Sequence, residues 1–252
     1  MITRTLFMAL AVAGLSTAAC NAEKGSDNGQ AASGPVAPVP PPANGDWSSV
    51  VTQTAEGGFL MGNPNAAVKL VEFGSMTCPH CAEFDHEAMK PLVDNYVKSG
   101  KVSLEFRNFV RDPFDLAASL VARCGGPTSF FGLTRGLFAD QREWMTKAQT
   151  ADPAAMQQIQ GLPPQQQYAE IAKLAGFQEW AAMRGLPVEK SNACLANQSE
   201  VDRLVQMQND AVSSYDIPGT PAFLLNGEMV AIEAGSTPWQ QVEAKIKEAL
   251  GG

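Results

Sequence analysis

Long apolar runs are missing from this chain of 252 residues. The N-terminal one, Leu6 to Leu15, is ten residues long, where a helix needs about 20 to cross a bilayer. Cations are scarce as well: 18 Lys and Arg stand against 26 Asp and Glu, giving a net charge of −8. No basic cluster exists to hold phosphates, which argues against nucleic acid as a partner. From Asn21 to Asn44 bulky apolar side chains are almost absent, so that stretch cannot build a packed core. Cysteine is limited to five positions, Cys20, Cys78, Cys81, Cys124 and Cys194.

What is present at the N-terminus reads as an export signal. Arg4, the short apolar run and the small residues after it predict a signal peptide over residues 1–19. Thr17-Ala18-Ala19-Cys20 resembles the lipobox of bacterial lipoproteins. That resemblance implies acylation of Cys20 and a chain anchored by lipid on the periplasmic face of a bacterial cell envelope; ordinary cleavage after an Ala-x-Ala-like site is the alternative. Removing Cys20 leaves four cysteines, an even set in an exported chain, and export implies an oxidising compartment where disulfides persist. Four cysteines allow three pairings. The close spacing of Cys78 and Cys81 favours their mutual pairing, leaving Cys124–Cys194 as a structural bridge. Closing a loop of about 70 residues is worth about 4 kcal/mol in the chain-entropy model. Two buried free thiols at 124 and 194 are the other possibility.

Residues 20–50, with Pro35, Pro38 and Pro40-Pro41-Pro42, read as a flexible tether behind the lipidated Cys20. Beyond it the pattern is α/β. Val68 to Phe73 predicts a strand, Pro79 to Lys98 a helix and Val102 to Val110 a second strand. Ala222 to Leu225 and Glu228 to Ile232 flank Asn226-Gly227, a strong hairpin signal. A last helix follows from a cap at Ser236 or Thr237, with Trp239, Val242, Ile246 and Leu250 at helical spacing. Residues 51–112 and 216–252 thus give strand–helix–strand and then hairpin–helix, the order of a thioredoxin fold. Between them, 113–215 shows helical patterning, as in Leu116, Leu120 and Val121 or Val201, Leu204, Val205 and Val212, punctuated by Pro153, Pro163, Pro164 and Pro187. The expected architecture is a thioredoxin fold with an inserted all-helical domain.

Cys78-Pro79-His80-Cys81 opens the first of these helices. Two cysteines one turn apart can open and close a disulfide with little backbone motion, and the helix start favours a thiolate on the first. Glu72-Phe73, Ser75, this motif, the helical insertion and Thr220-Pro221-Ala222-Phe223 together resemble the DsbA-type thiol:disulfide oxidoreductases, over about residues 58–250. The resemblance implies a nucleophilic Cys78, a resolving Cys81 and a tuning dipeptide, Pro79-His80, whose imidazole gives a hydrogen bond or positive charge to the Cys78 sulfur. It implies that Glu72 is a buried carboxylate moving a proton to or from Cys81. It further implies that Pro221 is cis and that Thr220 offers its backbone to an extended client as an added strand. A surface His80, a water-facing Glu72 and a trans-Pro221 are the plainer alternatives. No cofactor or metal is called for. The implied partners are exported or unfolded proteins and a membrane redox partner.

Stabilising a thiolate stabilises the dithiol form and makes the disulfide oxidising, on a scale from about −270 mV for thioredoxin to about −120 mV for DsbA. That favours a dithiol oxidase. Thr220, where the best-known oxidase has Val, resembles disulfide isomerases, so an isomerase or reductase is the alternative. Readings from a different class are a Cu(I) chaperone using Cys78, Cys81 and His86 beside Met76 and Met89, and a peptide-binding scaffold.

Overall fold

A computed structural model of the chain describes residue 37, residues 39–43 and residues 45–252. The expected signal segment, the expected lipidation site Cys20 and most of the expected tether lie outside the described residues. Six strands form one sheet: β1 (Val51–Gln53), β2 (Phe59–Gly62), β3 (Val68–Gly74), β4 (Val102–Asn108), β5 (Ala222–Leu225) and β6 (Glu228–Met229). Their order is β1-β2-β4-β3-β5-β6. β3 and β4 pair in parallel with Glu72 opposite Phe106, and the other pairings are antiparallel. A parallel pair needs a crossover, which α1 (Pro79–Leu92) and a wide turn at Val93–Val97 supply.

Alternation along the strands builds two faces. Val68 and Leu70 of β3, with Val102, Leu104 and Phe106 of β4, share a core with Phe84, Ala88, Met89 and Leu92 of α1. Val71 and Phe73 join a smaller cluster with Phe109, Ala211, Ile217 and Leu224. Phe84 fastens α1 to β5, its ring 4.5 Å from that of Phe223. β1 and β2 were not anticipated; three and four residues are too few to show a period, and Thr52 and Gln53 of β1 are polar. β6 ends at Met229 instead of running to Ile232. Past Val230, whose N–H reaches Phe223 O, the chain turns away and Glu233 N–H bonds the Gln241 side chain.

The segment expected to be helical is helical throughout: α2 (Pro113–Cys124), α3 (Pro127–Ala139), α4 (Gln141–Gln149), α5 (Pro153–Gln160), α6 (Pro164–Ala175), α7 (Phe177–Ala182), α8 (Val188–Leu195) and α9 (Gln198–Tyr215). α10 (Pro238–Ala249) closes the fold behind a capping box of Thr237 and Gln240. Prolines sit in the first turn of α2, α3, α5, α6 and α10, where a missing N–H costs nothing. The insertion has no core of its own. Phe130 of α3 stacks on Phe59 of β2 at 4.1 Å, so one apolar interior runs from the sheet into the helices. Cys124 of α2 and Cys194 of α8 are disulfide-bonded. α9 turns Val201, Leu204, Met207 and Ala211 inward and leaves Val205 and Val212 exposed, so the apolar stripe read at its C-terminal half was out of phase.

The tether also ends earlier than its expected boundary at residue 50. Asp46 caps a short 3-10 turn at Trp47–Ser49. The Trp47 indole N–H donates to Val39 O, and Val39 N–H donates to Ser99 O. Gly100, at φ +73°, leaves the room that Trp47 fills; a Cβ there would come within 2.5 Å of the indole nitrogen.

Candidate active site

β3 ends at Gly74, where a side chain would strike the Phe106 ring at 2.5 Å. The irregular stretch Ser75-Met76-Thr77 then delivers Cys78 to the N-cap of α1, with Pro79 in the first turn. Cys78 and Cys81 are free thiols, 2% and 0% exposed. Cys78 Sγ lies 3.2 Å from the Thr220 carbonyl oxygen across the site. The Thr220–Pro221 bond is cis.

The two sulfurs are pushed in opposite directions. Cys78 is drawn down to about 5, first by a hydrogen bond from the Cys81 thiol, then by the Thr220 side chain, the Cys81 N–H and the charge of Arg111, all against the cost of burial. Thr220 Oγ1 is buried without a partner in the thiol form, so its proton is available to a thiolate. Cys81 is held well above the ordinary thiol range, first by burial and then by donating to Cys78 and by the charges of Glu72 and Cys78. The Ser75 N–H, 3.5 Å from Cys81 Sγ, acts the other way.

Glu72 is 3% exposed and on the α1 side of the sheet, not facing water. Burial, reinforced by the charges of Asp85 and Cys78, raises its pKa well above the carboxylate range, and its Oε1 has no hydrogen-bond partner. Asp85, one turn beyond Cys81, is pushed up to about 6 by burial, opposed by Arg135. His80 departs from expectation. It is exposed, and its Nδ1 meets Glu83 Oε2 at 2.8 Å in place of the Cys78 sulfur. Its pKa is raised, first by that hydrogen bond and only lastly by the charge of Cys78. On the outer face of a helix the imidazole reaches the carboxylate three residues on.

Cys78, Cys81, Glu72, Thr220 and Pro221 therefore converge, while His80 stands at the rim and the Cys124–Cys194 bridge belongs to the helical region. A groove of about 670 Å³ opens beside Thr220 and Pro221, walled by Tyr215, Pro218, Met229 and Ile232. Of the groups suggested for copper, Met76 and Met89 are buried in the core and His86 is exposed. Among the described residues no cluster of three His, Cys, Asp or Glu side chains is placed to hold a metal ion.

Four residues missed from the sequence grip the loop before Cys78. Arg111 Nη2 donates to Thr77 O at 2.9 Å, and Thr77 Oγ1 donates to Asp112 at 2.7 Å. Gln141 Nε2 bridges Met76 O and Cys78 O at 2.8 and 2.9 Å. Asp115, fully buried, accepts from Ser75 Oγ and Met76 N–H; burial pushes its pKa up to about 7 against those hydrogen bonds. Its signal in the sequence was a carboxylate directly beside Leu116 in an apolar helical stripe.

Residues 54–248 match the family model for thioredoxin. A protein-disulfide isomerase from Novosphingobium aromaticivorans shares 32% identity and superimposes with a TM-score of 0.70, over 77% of this chain and 97% of that one. The alpha-DsbA1 of Wolbachia pipientis, at 21% identity, shares the fold with a TM-score of 0.59 over 76% of this chain and 90% of its own. Curated relatives from Rickettsia bellii and Rickettsia felis, whose names carry the words protein-disulfide oxidoreductase, are 25% and 23% identical over 196 and 192 residues. The matched stretch spans 65% and 60% of those relatives' length. With a thioredoxin sheet, a cysteine pair at the start of α1 and a helical segment built into the same core, the chain belongs to the thioredoxin family.

Proposed function

We propose that the protein is a thiol:disulfide oxidoreductase that exchanges a Cys78–Cys81 disulfide with client proteins, working as a dithiol oxidase. The observation that carries the reading is the opposite displacement of the two thiols, Cys78 down to about 5 and Cys81 upward. A client thiolate attacks Cys78 Sγ, and Cys81 leaves as a thiolate that takes up a proton. Glu72, buried beside the pair with a raised pKa, supplies that proton. A second client thiolate then attacks the client sulfur of the mixed disulfide, and Cys78 departs as the stabilised thiolate. Two electrons pass from client to enzyme, and the thiols themselves carry them without a cofactor.

An extended client lies along the Thr220–Pro221 edge, its backbone set against Thr220 and its side chains in the adjoining groove. Clients are exported or unfolded proteins, and a membrane redox partner restores the disulfide. Cys124–Cys194 is a structural bridge. The resemblance of residues 1–20 to a lipoprotein export signal supports a position on the periplasmic face of the cell envelope, with Cys20 lipidated.

The second reading, an isomerase, draws on Thr220 and on the name of the relative from Novosphingobium aromaticivorans. Equilibrating residues 46–252 in glutathione buffers and counting free thiols by alkylation tests the oxidase. A potential near the DsbA end of the scale, about −120 mV, supports the oxidase, and one near thioredoxin's, about −270 mV, refutes it. High reactivation of scrambled ribonuclease with weak dithiol oxidation would favour the isomerase.

A further inference from the structure

Asp115 is 0% exposed, and no cationic side chain bonds it. Burying a carboxylate without a cation is costly unless its oxygens are filled by donors. They are. Oδ1 accepts the Met76 N–H at 2.9 Å; Oδ2 accepts the Ser75 hydroxyl at 2.6 Å and the Arg111 N–H at 3.0 Å. The two backbone donors arrive on different oxygens and cannot turn around, so an amide, with one acceptor, cannot replace the carboxylate. The Asp112 cap explains how Asp115 reaches this point: Asp112 Oδ1 receives the Asp115 N–H and starts α2 directly under the loop.

The hydroxyl and the amide of Ser75 face different partners. Ser75, fixed by Asp115, presents its own N–H to Cys81 Sγ at 3.5 Å, and its carbonyl receives the Cys78 N–H at 3.1 Å. Its peptide groups are thus stretched between Asp115 and both cysteines. A buried sulfur that must carry charge during exchange needs a donor already aimed at it, because water cannot reorganise there. Among the described residues the Ser75 amide is the backbone donor on Cys81 Sγ.

We infer that Asp115 is a positioning residue for the Cys81 half of the exchange: through Ser75 it holds an amide N–H against the Cys81 sulfur. The inference rests on the thiol-exchange reading above and concerns only the step in which Cys81 attacks or leaves. With reduced enzyme and oxidised glutathione, the Cys78 thiolate attacks one glutathione sulfur and the other leaves as a thiolate. Cys81 then loses its proton and bonds Cys78 Sγ. The Cys78–glutathione bond breaks, and the second glutathione leaves as a thiolate and takes up a proton. The enzyme dithiol gives up two electrons and glutathione disulfide receives them.

Acid-quenched mixing followed by mass spectrometry separates the two steps, because the mixed disulfide weighs one glutathione more than either end state. Asp115→Asn removes the second acceptor; Ser75→Ala removes the handle and keeps the amide. In Asp115→Asn, closure by Cys81 slows about tenfold or more, the factor carried by a hydrogen bond to a charged group, so the mixed disulfide accumulates. Its formation by Cys78 slows far less. Ser75→Ala slows closure in the same direction, and the double variant is slower than Asp115→Asn by no more than about twofold, because both act through one contact. Thermal melts confirm folded samples; if Asp115→Asn does not fold, Ser75→Ala alone decides. Wild-type closure in a folded variant, or equal slowing of both steps, overturns the role of Asp115. A wild-type protein that oxidised glutathione does not convert to the Cys78–Cys81 disulfide removes the exchange reading and this role with it.

Discussion

The displacement of Cys78 makes a prediction about how the reduction potential depends on pH. An ordinary thiol titrates near about 8.5, so a dithiol takes up two protons with its two electrons across neutral pH. Cys78, drawn down to about 5, is already a thiolate there, and reduction takes up only one. Each proton moves the potential of a two-electron couple by about 30 mV per pH unit. The Cys78–Cys81 potential therefore falls by about 60 mV per unit below pH 5 and by about 30 mV per unit above it, a slope that holds past about 8.5 because Cys81 keeps its proton. At pH 7 the thiolate is stabilised by about 3 kcal/mol, which raises the potential by about 60 mV over a pair whose first thiol is unshifted. Stability follows the same sign. The folded value lies below the unfolded one, so between the two the unfolded reduced chain binds more protons. The contribution is complete above about pH 8.5, falls by about 1.4 kcal/mol per unit below that, and is gone below about 5. Glutathione and dithiothreitol titrations from pH 4 to 9, read by alkylation, measure the slope; urea melts of the reduced and disulfide forms measure the stability. A slope near 60 mV per unit persisting to pH 8 would refute the thiolate assignment.

Three further perturbations follow. Cys81→Ala removes the largest support of the Cys78 thiolate, the Cys81 hydrogen bond, so thiolate absorbance at 240 nm should titrate at a higher pH than in the wild type, and an unchanged midpoint would mean that this hydrogen bond contributes little. Phe84→Ala empties a site 1% exposed between Phe223 and Trp239 and should cost about 3–5 kcal/mol in urea unfolding, whereas a loss under 1 kcal/mol would mean the core collapses around it. Replacing Cys124 and Cys194 together by alanine opens a loop with a sequence separation of 70. It should lower stability by about 4 kcal/mol, and a variant as stable as the parent would mean the bridge constrains little.

What could be read from the sequence was local. β3, α1 and the cysteine motif are contiguous, and Asn226-Gly227 with its flanking apolar runs marks a hairpin within ten residues. What escaped depends on distant packing. β1 and β2 become strands only because β4 offers an edge, pairing Phe59 with Phe106. The phase of α9 is decided by the sheet face that takes Ala211, and valine spacing alone did not show that Val205 and Val212 would point outward. Trp47, a few residues past a proline-rich stretch, packs against Gly100 from another part of the chain. The hydrogen-bond partner of His80 is a competition the sequence does not show, and Glu83, one turn along the same helix, wins over a sulfur that faces inward.

The loop grip on Ser75-Met76-Thr77 shows why such residues stay silent in a sequence. Arg111, Asp112 and Asp115 sit about one helix and one strand away from the motif, in a stretch that reads as an ordinary capped helix start. Only the parallel register of β3 and β4, with Gly74 opposite Asn108, brings that start alongside the exit from β3. The same register sets Glu72 on the α1 side of the sheet and Arg111 near Cys78. One strand pairing thus places a proton-holding carboxylate, a cation and a loop anchor around two thiols. It also accounts for their asymmetry. Cys78 at the N-cap collects donors and positive charge, while Cys81, one turn deeper, collects burial and two acidic neighbours that oppose its ionisation. Swapping the order of the cysteines would not swap their chemistry, because the difference belongs to the two positions.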